Sequence, residues 1–96
     1  LKRYLYTYAP LWQTLKDGGV SQYQLLQGGI TSSQLNRLRR NESITLKTLK
    51  RLCETLQCRV SDIMIMRPEE EIVEFLEEIE TEETKEEEKM DTFHLE

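Results

Sequence analysis

The chain has 96 residues, 38% hydrophobic and 32% charged, which suffices for one compact core but leaves no room for a pocketed enzyme with a second domain. Its formal net charge of −5 hides two opposed segments: residues 1–67 carry eleven Lys or Arg against four Asp or Glu (+7), and residues 68–96 carry two against fourteen (−12). A basic globular domain over 1–67 beside an acidic helical or partly disordered tail over 68–96 suits a polyanion-binding module with an interaction or regulatory appendage.

Tyr4 to Tyr8 are rich in strand formers and end at Ala9, which Pro10 biases towards extended geometry, so a short N-terminal strand is expected. Pro10 then fits the first turn of a helix whose Leu11, Trp12 and Leu15 share one side, with Gly18 and Gly19 as its stop. Ser21 with Gln24, and Thr31 with Gln34, each read as a capping box. Val20 with Leu25, and Ile30 with Leu35, are the matching hydrophobic staples. Two short helices starting ten residues apart across Gly28 and Gly29 follow from these signals.

A fourth helix should open at Thr45, with Ile44 and Leu49 as staple. Its apolar face would hold Leu46, Leu49, Leu52, Cys53 and Leu56, opposite Lys47, Lys50, Arg51 and Glu54. Ser61 offers a further cap for a brief helix through Met64, after which residues 65–67 could pair antiparallel with the first strand. Beyond Pro68, Ile72, Phe75, Leu76 and Ile79 recur at spacings of three and four, predicting an acidic helix with a narrow apolar stripe that frays after Thr81. The charged run Glu82–Lys89 cannot bury enough apolar surface to offset ordering entropy, and Leu95 and Glu96 read as a terminal scar.

On the helix opened by Thr31, Leu35 and Leu38 set the buried direction, and Ser33, Asn36, Arg37 and Arg40 lie opposite at about 100° per residue. Arg can fork onto guanine, Asn onto adenine, and small hydroxyls allow close approach, which assigns base reading to Ser32, Ser33, Asn36 and Arg37. Phosphate anchoring falls to the flanking groups Gln22, Thr31, Arg40, Ser43 and Lys47. Polar residues on a helix surface are most often merely solvated. Here the paired caps, the tight turn and the basic surroundings favour function.

The stretches PLWQTLKDGGVSQYQLL, GITSSQLNRLRRNESITLKTLKRLC and LQCRVSDIM resemble, in order and spacing, the small single-domain Cro/C1-type (XRE-like) helix-turn-helix regulators of phages and Gram-positive bacteria. The resemblance covers about residues 8–66 and implies a compact five-helix, lambda-repressor-like, all-α fold. It also implies phosphate binding by Gln22, base reading from Thr31 through Arg37, and a homodimer on a palindromic double-stranded DNA operator. A small transcriptional repressor in the cytoplasm is the expected whole. Two features depart from the family pattern: the Gln22 to Ile30 interval is one residue shorter than in the common repressors, and the acidic tail has no counterpart.

The tail is compatible with a dimerising helix, an acidic mask over the reading surface, a docking segment for another protein, or an inert solubilising extension. A contrasting reading makes the chain an antitoxin whose acidic helix binds a partner protein. Enzyme chemistry is disfavoured, since no nucleophile-and-base pair or phosphate-cradling loop is present and His94 is the single histidine. Cys53 and Cys58 match neither a redox motif nor a zinc set, so reduced, partly buried thiols and no metal or cofactor are expected. No apolar run approaches a membrane span, and Trp12 is expected in the core rather than stacked on a base.

Overall fold

The computed structural model describes residues 1–80. In chain order it contains β1 (Tyr4–Thr7), α1 (Ala9–Gly18), α2 (Gln22–Gln27), α3 (Ser32–Arg39), α4 (Leu46–Leu56), a 3-10 turn (Val60–Asp62) and β2 (Ile65–Pro68). Residues 69–80 are helical. The expected fraying after Thr81, the charged run Glu82–Lys89, His94 and the closing Leu95 and Glu96 lie outside the described residues.

Tyr6–Met66 forms one unit, and Leu1–Leu5 with residues 67–80 forms another. In the first unit, Tyr8, Leu11, Leu15, Leu25, Ile30, Leu35, Leu38, Leu52 and Ile63 make a single buried cluster, against which Trp12, Val20, Ile44, Leu49, Cys53, Leu56 and Cys58 pack. Every residue of the three expected staples is in that set, and Trp12 is a core residue. Burying each large side chain contributes roughly 1.5–3 kcal/mol, so the cluster is the main source of the fold's stability.

The helices α1 to α4 each close with the same backbone device. An N–H two or three residues past the helix end reaches back to the last turn: Val20 to the Leu15 carbonyl at 2.9 Å, Ile30 to Leu25 at 3.1 Å, Glu42 to Arg37 at 2.8 Å and Cys58 to Cys53 at 3.1 Å. That closure places one residue in the left-handed region at each end, namely Gly19, Gly29, Asn41 and Gln57. At Gly29 the φ of 98° favours glycine, whereas the nearest neighbour of an added Cβ is the movable tip of the exposed Arg51 side chain at 2.8 Å.

The helix starts match the caps read from sequence. Ser21 and Thr31 each complete a capping box, and Thr45 caps α4 through the Thr48 N–H. The fourth start differs. The 3-10 turn is capped at Arg59, whose N–H donates to Asp62 Oδ2 at 3.0 Å, rather than at Ser61. An acidic side chain three residues on from Arg59 satisfies that N–H, so the turn starts two residues earlier than Ser61 would place it.

Leu46 is a second correction: it is 83% exposed, while Thr48 is buried at 5%. The buried face of α4 centres on Leu52 and Thr48, and Leu46 lies roughly 120° round the helix from Leu52. Thr48 tolerates burial because its hydroxyl accepts from Gln34 Nε2 at 2.8 Å. Lys47, Lys50, Arg51 and Glu54 are exposed as expected.

β1 and β2 form a two-stranded sheet, so the fold is mostly helical rather than all-α. The Glu69 N–H donates to the Arg3 carbonyl at 2.9 Å, which brings the end of β2 to the start of β1 and makes the pair antiparallel. β2 runs through Pro68, one residue past the expected end. In the second unit Lys2 and Glu70 form an exposed ion pair at 3.3 Å, Ile72 is buried, and Phe75, Leu76 and Ile79 are half-buried. No helix among the described residues is long and apolar enough to cross a membrane.

Candidate nucleic-acid interface

α2 and α3 are separated by the four residues Gly28 to Thr31, and Leu25, Ile30, Leu35 and Leu38 hold them on the core. This leaves the opposite side of α3 bare. Ser32, Ser33, Asn36 and Arg37 are all exposed, as are the flanking Gln22, Thr31, Arg40, Ser43 and Lys47.

Gln34 fixes the entry to α3 with both ends of one amide. Its Oε1 accepts the Thr31 N–H at 2.9 Å, completing the cap, while its Nε2 donates to Thr48 of α4. The exit is held by Tyr8, the residue between β1 and α1. The Asn41 carbonyl oxygen Oδ1 accepts the Tyr8 N–H at 2.9 Å, and the Tyr8 hydroxyl donates to the Glu42 carbonyl at 2.8 Å. Burial, reinforced by the neighbouring Tyr6, raises the Tyr8 pKa, while a backbone hydrogen bond opposes the rise. The phenol is therefore neutral at physiological pH and available to donate. α3 is thus tied at both ends to buried partners, Thr48 at its start and Tyr8 at its end.

Along the exposed stripe the structure brings several assigned residues together. Arg37 Nη1 reaches the Ser43 carbonyl at 3.5 Å. Arg39 donates from Nη1 to Asn36 Oδ1 at 2.9 Å and from Nε to Gln22 Oε1 at 3.1 Å, with a further contact from Nη2 to the same oxygen. The phosphate-binding candidate on α2 and a base-reading candidate on α3 are therefore joined through one guanidinium. Arg40 lies 3.9 Å from Glu42 with both side chains largely exposed, an ion pair worth little that phosphate can displace.

Arg39, Asn41 and Tyr8 belong to this arrangement although the periodicity of α3 did not single them out. Arg39 sits only about 40° from the buried Leu35, so a helical wheel files it as flank. A side chain satisfying both Gln22 and Asn36 depends on packing between helices. Asn41, by contrast, carries a readable signal, because Asn is the side-chain-bearing residue most tolerant of the left-handed region after a helix.

The two thiols stand apart from this surface: Cys53 and Cys58 are free and half-buried. Burial pushes the Cys58 pKa up, with Cys53 adding to the effect, so it is less reactive than an exposed thiol.

The helix pair, its caps and the exposed hydrogen-bonding stripe define a helix-turn-helix domain. Residues 10–69 match the Cro/C1-type HTH DNA-binding domain, and the chain belongs to that family. Among solved structures it is similar to the crystal structure of the transcriptional regulator VanUg, Form II, at 30% identity and a TM-score of 0.65, covering 72% of this chain and 93% of that one. A search of curated proteins gives no significant match.

Proposed function

We propose that the chain is a small transcriptional regulator of the repressor type, which binds a double-stranded DNA operator as a homodimer with α3 in the major groove. The observation that carries this reading is the clamped α3. Its start is tied to α4 and its end to Tyr8, between β1 and α1, while Ser32, Ser33, Asn36 and Arg37 remain exposed along one stripe. A reading helix has to be rigid where it meets base edges, and its side chains have to be free of the core.

In this reading Ser32, Ser33, Asn36 and Arg37 contact bases, with Arg37 suited to fork onto guanine. Gln22, Thr31, Arg40, Ser43 and Lys47 bind the backbone, and residues 68–96 form an acidic tail appended to the DNA-binding domain. Being a regulator is further supported by the likeness to VanUg, and the homodimer by the two-fold symmetry with which such domains meet palindromic sites.

The test is footprinting on a selected site. Replacing Asn36 and Arg37 together with Ala removes the protected site while leaving non-specific binding. Lys47→Ala weakens binding to all duplexes about equally and lowers the salt slope by roughly 1. A footprint like that of the wild type in the double variant contradicts the assignment.

A further inference from the structure

We infer that Arg39 is a positioning residue that decides which end of the Gln22 and Asn36 amides faces the DNA, and thereby sets the base preference of Asn36. This inference rests on the DNA-reading assignment above.

A guanidinium carries only N–H donors, so any amide atom bonded to it has to be the carbonyl oxygen. Arg39 meets Asn36 at Oδ1 and Gln22 at Oε1. Both NH2 groups are therefore turned away from Arg39. All three side chains are exposed, so the outward groups are open to a ligand. For Gln22 the outward donor is the correct end for a phosphate oxygen.

For Asn36 the consequence is a change of base. Reading adenine with both amide atoms needs Oδ1 to accept from N6 while Nδ2 donates to N7. With Oδ1 turned towards Arg39 and one of its two lone pairs engaged there, Nδ2 is the group turned outward, and it suits edges presenting acceptors: guanine at N7 and O6, or thymine at O4. Asn36 therefore prefers guanine or thymine over the adenine that an unconstrained Asn selects. A lysine at this position cannot reproduce the effect, because a single ammonium lacks the planar fork that spans both oxygens.

The experiment selects randomised duplexes with the full-length chain as wild type, Arg39→Ala, Arg39→Lys and Asn36→Ala. The base pair read by Asn36 is the one whose preference Asn36→Ala erases. The expected result is guanine or thymine there for the wild type and a shift towards adenine in both Arg39 variants. Binding to the wild-type site falls roughly tenfold with a nearly unchanged salt slope, and the melting temperature stays close to wild type. An unchanged base preference with a salt slope lowered by about 1 in Arg39→Ala makes Arg39 a plain phosphate contact and overturns the inference alone. Wild-type behaviour of Arg39→Lys also overturns it. A wild-type chain that enriches no site overturns the DNA-reading assignment beneath it.

Discussion

Two side-chain-bearing residues hold left-handed backbone for different returns, and substitution separates them. Gln57, at φ 50°, closes α4 and donates from its own side chain to the Glu54 carbonyl at 2.7 Å, an exposed bond that water can replace. Gln57→Gly relieves the backbone penalty and raises stability by about 0.5–1 kcal/mol in denaturant melts. Asn41, at φ 55°, also accepts the Tyr8 N–H. Asn41→Gly orphans that donor, so it lowers stability by about 1–2 kcal/mol despite the easier backbone. Tyr8 itself is 1% exposed, and Tyr8→Phe strips the Glu42 carbonyl of its donor, costing about 1–3 kcal/mol. The Tyr8 pKa is raised on folding, so its contribution is whole below about pH 10 and declines above it as the unfolded chain ionises first. Tyr8→Phe consequently shows a shallower loss of stability above that pH. An equal loss in both proteins would assign the alkaline limb to other groups.

At the level of elements, the capping boxes are the testable units. Ser21→Ala and Thr31→Ala should each cost about 1 kcal/mol in thermal or denaturant melts, with Thr31→Gly costing only a few tenths. Gln34→Glu keeps the acceptor for the Thr31 N–H but cannot donate to Thr48, so it destabilises through the α3–α4 contact alone. Equal stability of Gln34→Glu and wild type would remove that tie. These caps and staples are local, lying within a few residues of one another, which is why the starts of α2, α3 and α4 were legible in the sequence. The exposed stripe of α3 was legible for the same reason, since Leu35 and Leu38 orient it. What was not legible depends on partners far along the chain. Leu46 is apolar and in phase with Leu49, yet it faces solvent because α4 packs on Thr48 and Leu52. Arg39 looked like flank until Gln22 was brought to it, and Tyr8 gave no sign of holding Asn41. The 3-10 turn was expected, but its start was misplaced, because the Asp62 carboxylate accepts the Arg59 N–H and sets the cap there rather than at Ser61.

For the whole molecule, the decisive quantity is the −5 net charge around a +7 segment. DNA affinity has a large electrostatic part, and net charge steers approach over about a Debye length. Replacing Glu82, Glu83, Glu86, Glu87 and Glu88 with Gln brings the formal charge to 0. Non-specific affinity should then rise several-fold at low salt, converging on wild type as salt is raised. Equal affinity at every salt concentration would make the acidic run electrically inert towards DNA. Whether α3 reads sequence is tested by selection from randomised duplexes with the full-length wild-type chain. A chain that reads sequence through α3 enriches one palindromic site whose half-sites lie about one helical turn apart. Recovery of a random population, with binding that depends on salt alone, would contradict it.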